Sequence, residues 1–197
     1  MPNNDCCENL IKTATPLFAA KGLNGVSIRE LASAAGVNLS MISYYFGGKE
    51  GLYTAVLTQQ FATLEKLDEI ETMDLDVLQK FEYYIRATVS RYRKNPYLLR
   101  FYTSELTNPT SCFETIVKPA IKKVLQVLLN TFETGISHEE LREDLNPADT
   151  VLALAGMINF YFLLEPASAE LVDHSSERDE ELIRHIMNIF TKGVLKK

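Results

Sequence analysis

Ser27–Lys49 reads SIRELASAAGVNLSMISYYFGGK. Ser27 followed by Glu30 is a capping-box pattern: the Ser oxygen accepts from the Glu backbone N–H, and the Glu carboxylate reaches back to the Ser N–H. A helix over 28–34 is predicted, with Ile28, Leu31, Ala32 and Ala35 spaced three and four apart on one apolar face. Gly36 supplies the left-handed conformation that ends a helix and reverses the chain. Asn38 suits the N-cap of a second helix. Ala32 and Gly36 are small enough for close helix approach, and Val37 and Ile42 can fill the angle between the two helices.

The second helix has an outer face that geometry defines. With Ile42 inward and a rotation of about 100° per residue, Asn38, Leu39, Tyr45 and Phe46 fall towards the same side. Ser40 and Tyr44 then point outward, flanked by Met41 and Ser43. This face carries hydroxyls, a phenol and a thioether, and no positive charge. Such groups reach base edges, thymine methyls and phosphates in a DNA groove. Gly47 and Gly48 turn the chain, and Lys49 opens the next helix as a candidate phosphate clamp. A helical hairpin without a DNA role is the competing interpretation. The capping box, the Gly turn and the FGGKE ending together argue against it.

The segment from about Leu10 to Tyr53 resembles the TetR-type (tetracycline-repressor-like) transcriptional regulators. The resemblance lies in LFAAKGLNGVSIRELASAAGV, the Ile42–Phe46 run and GGKEGLY. It covers about a quarter of the chain. The remainder matches in length, helical character and order of apolar segments. The family usually carries Tyr where this chain has Ser43, and often His where it has Tyr45, so the phosphate contact is expected from Tyr44 or Tyr45. The resemblance implies DNA contacts by Ser27, Arg29, Asn38, Leu39, Ser40, Met41, Ser43, Tyr44, Tyr45 and Lys49.

The 197 residues suffice for a sizeable core and one or two domains. The chain is 46% hydrophobic without an apolar run long enough to span a membrane. Met1–Leu10 is polar and acidic and lacks a secretory pattern, so a cytoplasmic location is expected. Cys6, Cys7 and Cys112 show no metal spacing, and simple surface or helix-start cysteines are the expectation. Net charge is −6. Residues 1–50 carry Lys12, Lys21, Arg29 and Lys49 against Asp5, Glu8, Glu30 and Glu50. Of the chain's 20 basic and 26 acidic side chains, 16 and 22 therefore lie beyond residue 50. A neutral head on an acidic body suits site-specific binding better than non-specific coating.

Outward from Ser27–Lys49, the periodicity predicts a bracing helix over 5–21 and helices over 49–67, 75–94, 97–106, 111–134 split at Lys118, 146–165 and 176–195. Asn95-Pro96 and Asn146-Pro147 are taken as N-cap plus first-turn Pro. The acidic stretch 68–76 and the polar stretch 135–145 are connections. Val151–Leu164 is apolar on every side, as expected of a helix with a core on one face and a partner subunit on the other. With the last helix it resembles the TetR-type dimer bundle, which implies an interface of Val151, Leu154, Ile158, Tyr161, Phe162, Ile186 and Phe190.

The helices from residue 49 to 134 are rich in aromatics. Most are core packing. The resemblance implies a pocket among these helices, with Phe61, Phe81, Tyr84, Tyr92, Phe101, Tyr102 and Phe113 as its candidate lining and Arg86, Arg91 or Arg100 as candidate partners for an anionic group. His138, His174 and His185 have no ligand-spaced partner, and no phosphate loop, nucleophile elbow or paired carboxylates occur. A non-enzyme without a cofactor is expected. The expected architecture is all-α: a three-helix helix-turn-helix DNA-binding domain over 1–48, then a helical ligand-binding and dimerisation domain over 49–197, with about nine helices. The expected function is a ligand-responsive regulator, a repressor that binds operator DNA as a homodimer and is released by a small, mostly apolar effector. The alternative is a helical-body protein that acts through protein or small-molecule binding without operator DNA.

Overall fold

A computed structural model describes residues 4–64, 67 and 69–196, and the described residues form an all-helical protein. The chain divides into two compact units: Met1–Thr63 with Pro96–Pro119, and Leu64–Asn95 with Ala120–Lys197.

In the first unit, α1 (Asn4–Lys21) packs on α2 (Ile28–Ala35) and α4 (Lys49–Ala62), and α3 (Leu39–Phe46) packs on α4. Leu10, Ala14 and Phe18 of α1 are buried with Leu31, Ile42, Leu52 and Val56. Phe18 meets the Tyr53 ring edge-on at 5.0 Å, and Tyr53 meets Phe101 of α7 (Leu98–Thr107) at 6.2 Å. Gly36 ends α2 at φ 67°, a conformation a side chain would strain. A five-residue π-helical segment, Phe113–Val117, follows α7 in this unit. Such i→i+5 turns are rare. Pro119 lies just downstream and cannot donate a backbone hydrogen bond, so the interruption falls at the expected split near Lys118.

The second unit contains α5 (Glu69–Thr72), α6 (Val77–Lys94), most of α8 (Lys118–Ser137), α9 (Pro147–Leu163), α10 (Glu165–Ser168) and α11 (Asp179–Val194). Phe81 of α6 is its hub, 6.3 Å from the Phe132 ring of α8 and 5.0 Å from that of Phe190 in α11. Inside the apolar α9, Asn159 accepts a 2.6 Å hydrogen bond from the Tyr92 hydroxyl. Arg93 pairs with Asp179 at 2.8 Å and lies 4.9 Å from the centre of the Phe162 ring.

Several boundaries differ from expectation. The helix expected over 49–67 ends at Ala62, and α5 forms inside the stretch taken as a connection. Helix α6 begins at Val77 behind a complete capping box: the Asp76 carboxylate accepts from Gln79 N, and Asp76 N donates to the Gln79 amide oxygen. The Ser27 box is only half made. Ser27 Oγ accepts from Glu30 N at 3.1 Å, but the Glu30 carboxylate pairs with Lys21 at 2.5 Å. Asn95 does not cap the next helix. It ends α6, its N–H donating to Arg91 O at 2.8 Å, because a residue before Pro is driven out of the helical region. The last helix opens with a 3-10 turn, Ser176–Arg178, and α8 runs on to Ser137. Asn146-Pro147 starts α9 as expected, with Asn146 Oδ1 accepting from Asp149 N at 3.1 Å.

Candidate nucleic-acid interface

The head presents α3 by fixing both its ends. Asn38 caps the start, its side-chain oxygen accepting from Ser40 N at 3.1 Å and from the Ser40 hydroxyl at 3.2 Å. Gly47 closes the end, its N–H donating to Ser43 O at 2.9 Å. Ile42 is buried and pins the helix to the core. Ser40, Ser43 and Tyr44 are exposed, and they line a shallow concavity with half-exposed Met41. Tyr44 is 77% exposed and stands edge-on to Tyr45 at 5.1 Å. Leu39, expected to turn inward, is 39% exposed.

The flanking groups are placed as follows. Ser27 is spent on capping α2, and Arg29 is exposed on the first turn of that helix. Lys49 is half-buried, and its Nζ donates to Val26 O at 3.2 Å, so the ammonium is anchored at the start of α4. The Tyr45 phenol is raised above its ordinary pKa, first by desolvation, then by Cys6, Cys7 and Tyr44. The hydrogen bond from Lys21 holds the Glu30 carboxyl below its usual range, with burial acting against it.

The seven aromatics expected to line a pocket divide between the units. Phe61 and Phe101 are buried in the first, where Tyr102 and Phe113 are half-buried, and desolvation raises the Tyr102 phenol. Phe81 and Tyr84 are buried in the second, where half-buried Tyr92 donates to Asn159 and meets Phe162 at 5.3 Å. Arg86 does not wait for an anionic ligand: it pairs with Glu82 at 2.8 Å and Glu180 at 2.6 Å. A polar cleft of about 360 Å³ lies in the second unit between α6 and α8, lined among others by Glu71, Lys80, Asn130 and His138. No local signal announces it, since its walls lie about sixty residues apart in sequence.

Of the residues expected at a subunit interface, Val151, Leu154, Ile158, Phe162, Ile186 and Phe190 are buried in the chain's own core, and only Tyr161 is part-exposed. This shifts the expectation to the outer stripe. On α9 and α11, the large apolar side chains left exposed are Leu152 (55% exposed), Phe160 (58%), Leu163 (45%) and Ile189 (60%). A helix apolar on every side offers no phase by which sequence could choose between the stripes.

Residues 10–56 match the family model described as bacterial regulatory proteins, tetR family. The chain is 27% identical over 136 residues to a probable HTH-type transcriptional regulator, YttP, of Bacillus subtilis, spanning 68% of this chain and 66% of that protein. It is 26% identical over 157 residues to the HTH-type transcriptional repressor NicS of Pseudomonas putida, spanning 78% and 74%. Its fold matches that of the transcriptional regulator FadR from Bacillus subtilis, solved with stearoyl-CoA, at a TM-score of 0.74 and 18% identity over 94% of this chain and 98% of that one. Among the described residues no helix is long and apolar enough to cross a membrane. The head, residues 10–56, thus matches the tetR family of bacterial regulatory proteins in sequence, and the described residues share the fold of the solved regulator FadR.

Proposed function

We propose that the chain is a ligand-responsive transcriptional repressor of the cytoplasm, which binds operator DNA as a homodimer and is released by a small, mostly apolar effector. Residues 1–48 act as the reading head and 49–197 as the effector-binding and pairing body. The observation that carries this reading is the exposed α3 face of Ser40, Ser43 and Tyr44 on a helix capped at both ends. Two such helices related by a two-fold axis enter successive major grooves, about 34–36 Å apart. The outer stripe of Leu152, Phe160 and Ile189 supports pairing. The aromatic content of the body and the stearoyl-CoA held by FadR support an apolar effector. An effector releases DNA only by binding the non-DNA head arrangement more tightly.

Fluorescence anisotropy on the promoter beside the chain's own gene tests this. Tyr44→Ala is expected to lower specific affinity about tenfold and to leave non-specific binding nearly unchanged. Equal losses would remove Tyr44 from base readout. Lys49→Met is expected to weaken binding to every sequence and reduce the salt slope by about 1. An unchanged slope would leave Lys49 as only the anchor on Val26.

Pairing has its own test. Ile189→Asp places a charge on the exposed stripe, so it should leave helicity intact and convert dimer to monomer in sedimentation velocity. A dimer that survives this substitution and Leu152→Asp would put the interface elsewhere. The second reading, a helical-body protein acting through protein or small-molecule binding without operator DNA, is favoured by the cations already engaged in the head: Lys21 with Glu30, and Lys49 with Val26. Absence of any sequence preference would support it.

A further inference from the structure

Base pairs are told apart in the major groove by fixed partners. Arg or Lys reads guanine O6 and N7, Asn or Gln reads adenine bidentately, Asp or Glu accepts from cytosine, and apolar groups meet the thymine methyl. Helix α3, Leu39–Phe46, contains none of the charged or carboxamide types. The adjoining carboxamide, Asn38, is committed: its oxygen holds Ser40 N at 3.1 Å and the Ser40 hydroxyl at 3.2 Å, which removes the acceptor that bidentate adenine reading requires. The nearby cations stand on other helices. Arg29 opens α2, and Lys49, held on Val26 O, opens α4. In helix-turn-helix docking the helix before the recognition helix crosses the phosphate backbone, which suits Arg29 to phosphate rather than guanine.

What α3 does expose is apolar surface. Leu39 is 39% exposed, Met41 is half-exposed, and the Tyr44 ring stands out beside the two serine hydroxyls. Exposed apolar side chains on a DNA-facing helix gain by covering the one apolar group the groove offers. We propose that this recognition helix reads thymine methyl groups, with Leu39, Met41 and Tyr44 as the specificity-determining side chains and a half-site of A·T pairs at its centre. The proposal rests on the reading that the chain binds operator DNA, and its test separates the two.

The full-length protein is used to select binding sites from a randomised duplex library. Each thymine of the selected site is then replaced singly by deoxyuridine, which lacks the methyl and keeps every hydrogen-bonding group, and each guanine by 7-deazaguanine, which lacks N7. The expected result is an A·T core in which deoxyuridine costs about fourfold in affinity at each contacted methyl, with no effect of 7-deazaguanine. Leu39→Ala should abolish the deoxyuridine effect at one thymine and keep binding to unrelated duplex. Leu39 is exposed, so this variant folds. A guanine-anchored site sensitive to 7-deazaguanine would overturn the inference and leave operator binding standing. An A·T-rich site indifferent to deoxyuridine would also overturn it and assign specificity to DNA shape. Failure to enrich any sequence would overturn the operator reading itself.

Discussion

Gly51→Ala is expected to unseat the recognition helix. Gly51 lies in the first turn of α4, where that helix runs directly beneath the end of α3. A Cβ built there would lie 1.7 Å from the Phe46 carbonyl oxygen and 2.9 Å from its carbon. Both atoms are backbone, so no rotamer change relieves the clash. The end of α3 must lift away from α4, or α4 must slide. Overpacking of this kind costs about 3 kcal/mol, near 10 °C in Tm for a chain of this size. The larger effect falls on DNA, because displacing the reading face breaks several base contacts together. Specific binding should fall at least a hundredfold while the second unit keeps its helicity. Gly193→Ala is the control: it meets nothing within 4 Å in α11, and Ala should leave Tm unchanged or slightly raised. If Gly51→Ala binds and melts like the parent, α3 is not held against α4 as described.

Glu105→Ala should be the more destabilising change overall. The Glu105 side chain is 0% exposed, and its carboxylate is satisfied by hydrogen-bond donors. Tyr53 donates its hydroxyl at 2.7 Å, Thr110 its backbone N–H at 3.1 Å, and the Thr110 hydroxyl lies at 3.0 Å. Thr110 Oγ1 in turn accepts from Cys112 N at 3.2 Å, and the Cys112 sulfur lies 3.4 Å from Thr54 Oγ1. The ring of contacts thus leaves α4 at Tyr53, passes through α7 and the turn after it, and returns to α4 at Thr54. Burial, then Glu105, holds the Tyr53 phenol far above its usual pKa, so it remains a donor throughout the working range. Removing the carboxylate strands buried donors at about 1–3 kcal/mol apiece and adds a cavity. A loss of about 4 kcal/mol follows, read as the urea midpoint. Tyr53→Phe keeps the ring on Phe18 and Phe101 and removes one donor, so it should cost only about 1 kcal/mol. If the two variants cost the same, the carboxylate does not organise the ring.

The head was legible because its signals are local. Ser27, Gly36 and Asn38 each act on neighbours within four residues, and each does so in the structure. Where two local rules competed, reading the chain alone picked the wrong one. Asn95 satisfies the N-cap preference, yet the constraint imposed by Pro96 prevails. Glu30 could close the capping box, yet Lys21, nine residues earlier, offers a full charge. Glu105 was invisible for a different reason. Its partner Tyr53 lies 52 residues away, so on α7 it looks like any solvated carboxylate of an amphipathic helix. The reading face was visible as a set of residues: the resemblance included Leu39, whereas helical geometry alone turned it towards Ile42.

The π-helical segment Phe113–Val117 carries a consequence for how this chain can change length. A π turn holds one residue more than an α turn spanning the same rise. Deleting a single residue from the exposed pair Glu114–Thr115 lets the segment close as ordinary α-helix. The surplus vanishes locally, and buried Val117 and the helix after it keep their facing. The same deletion in the middle of α8 would rotate every later side chain by about 100°. Lineages that shorten this protein by one residue should therefore have lost it here.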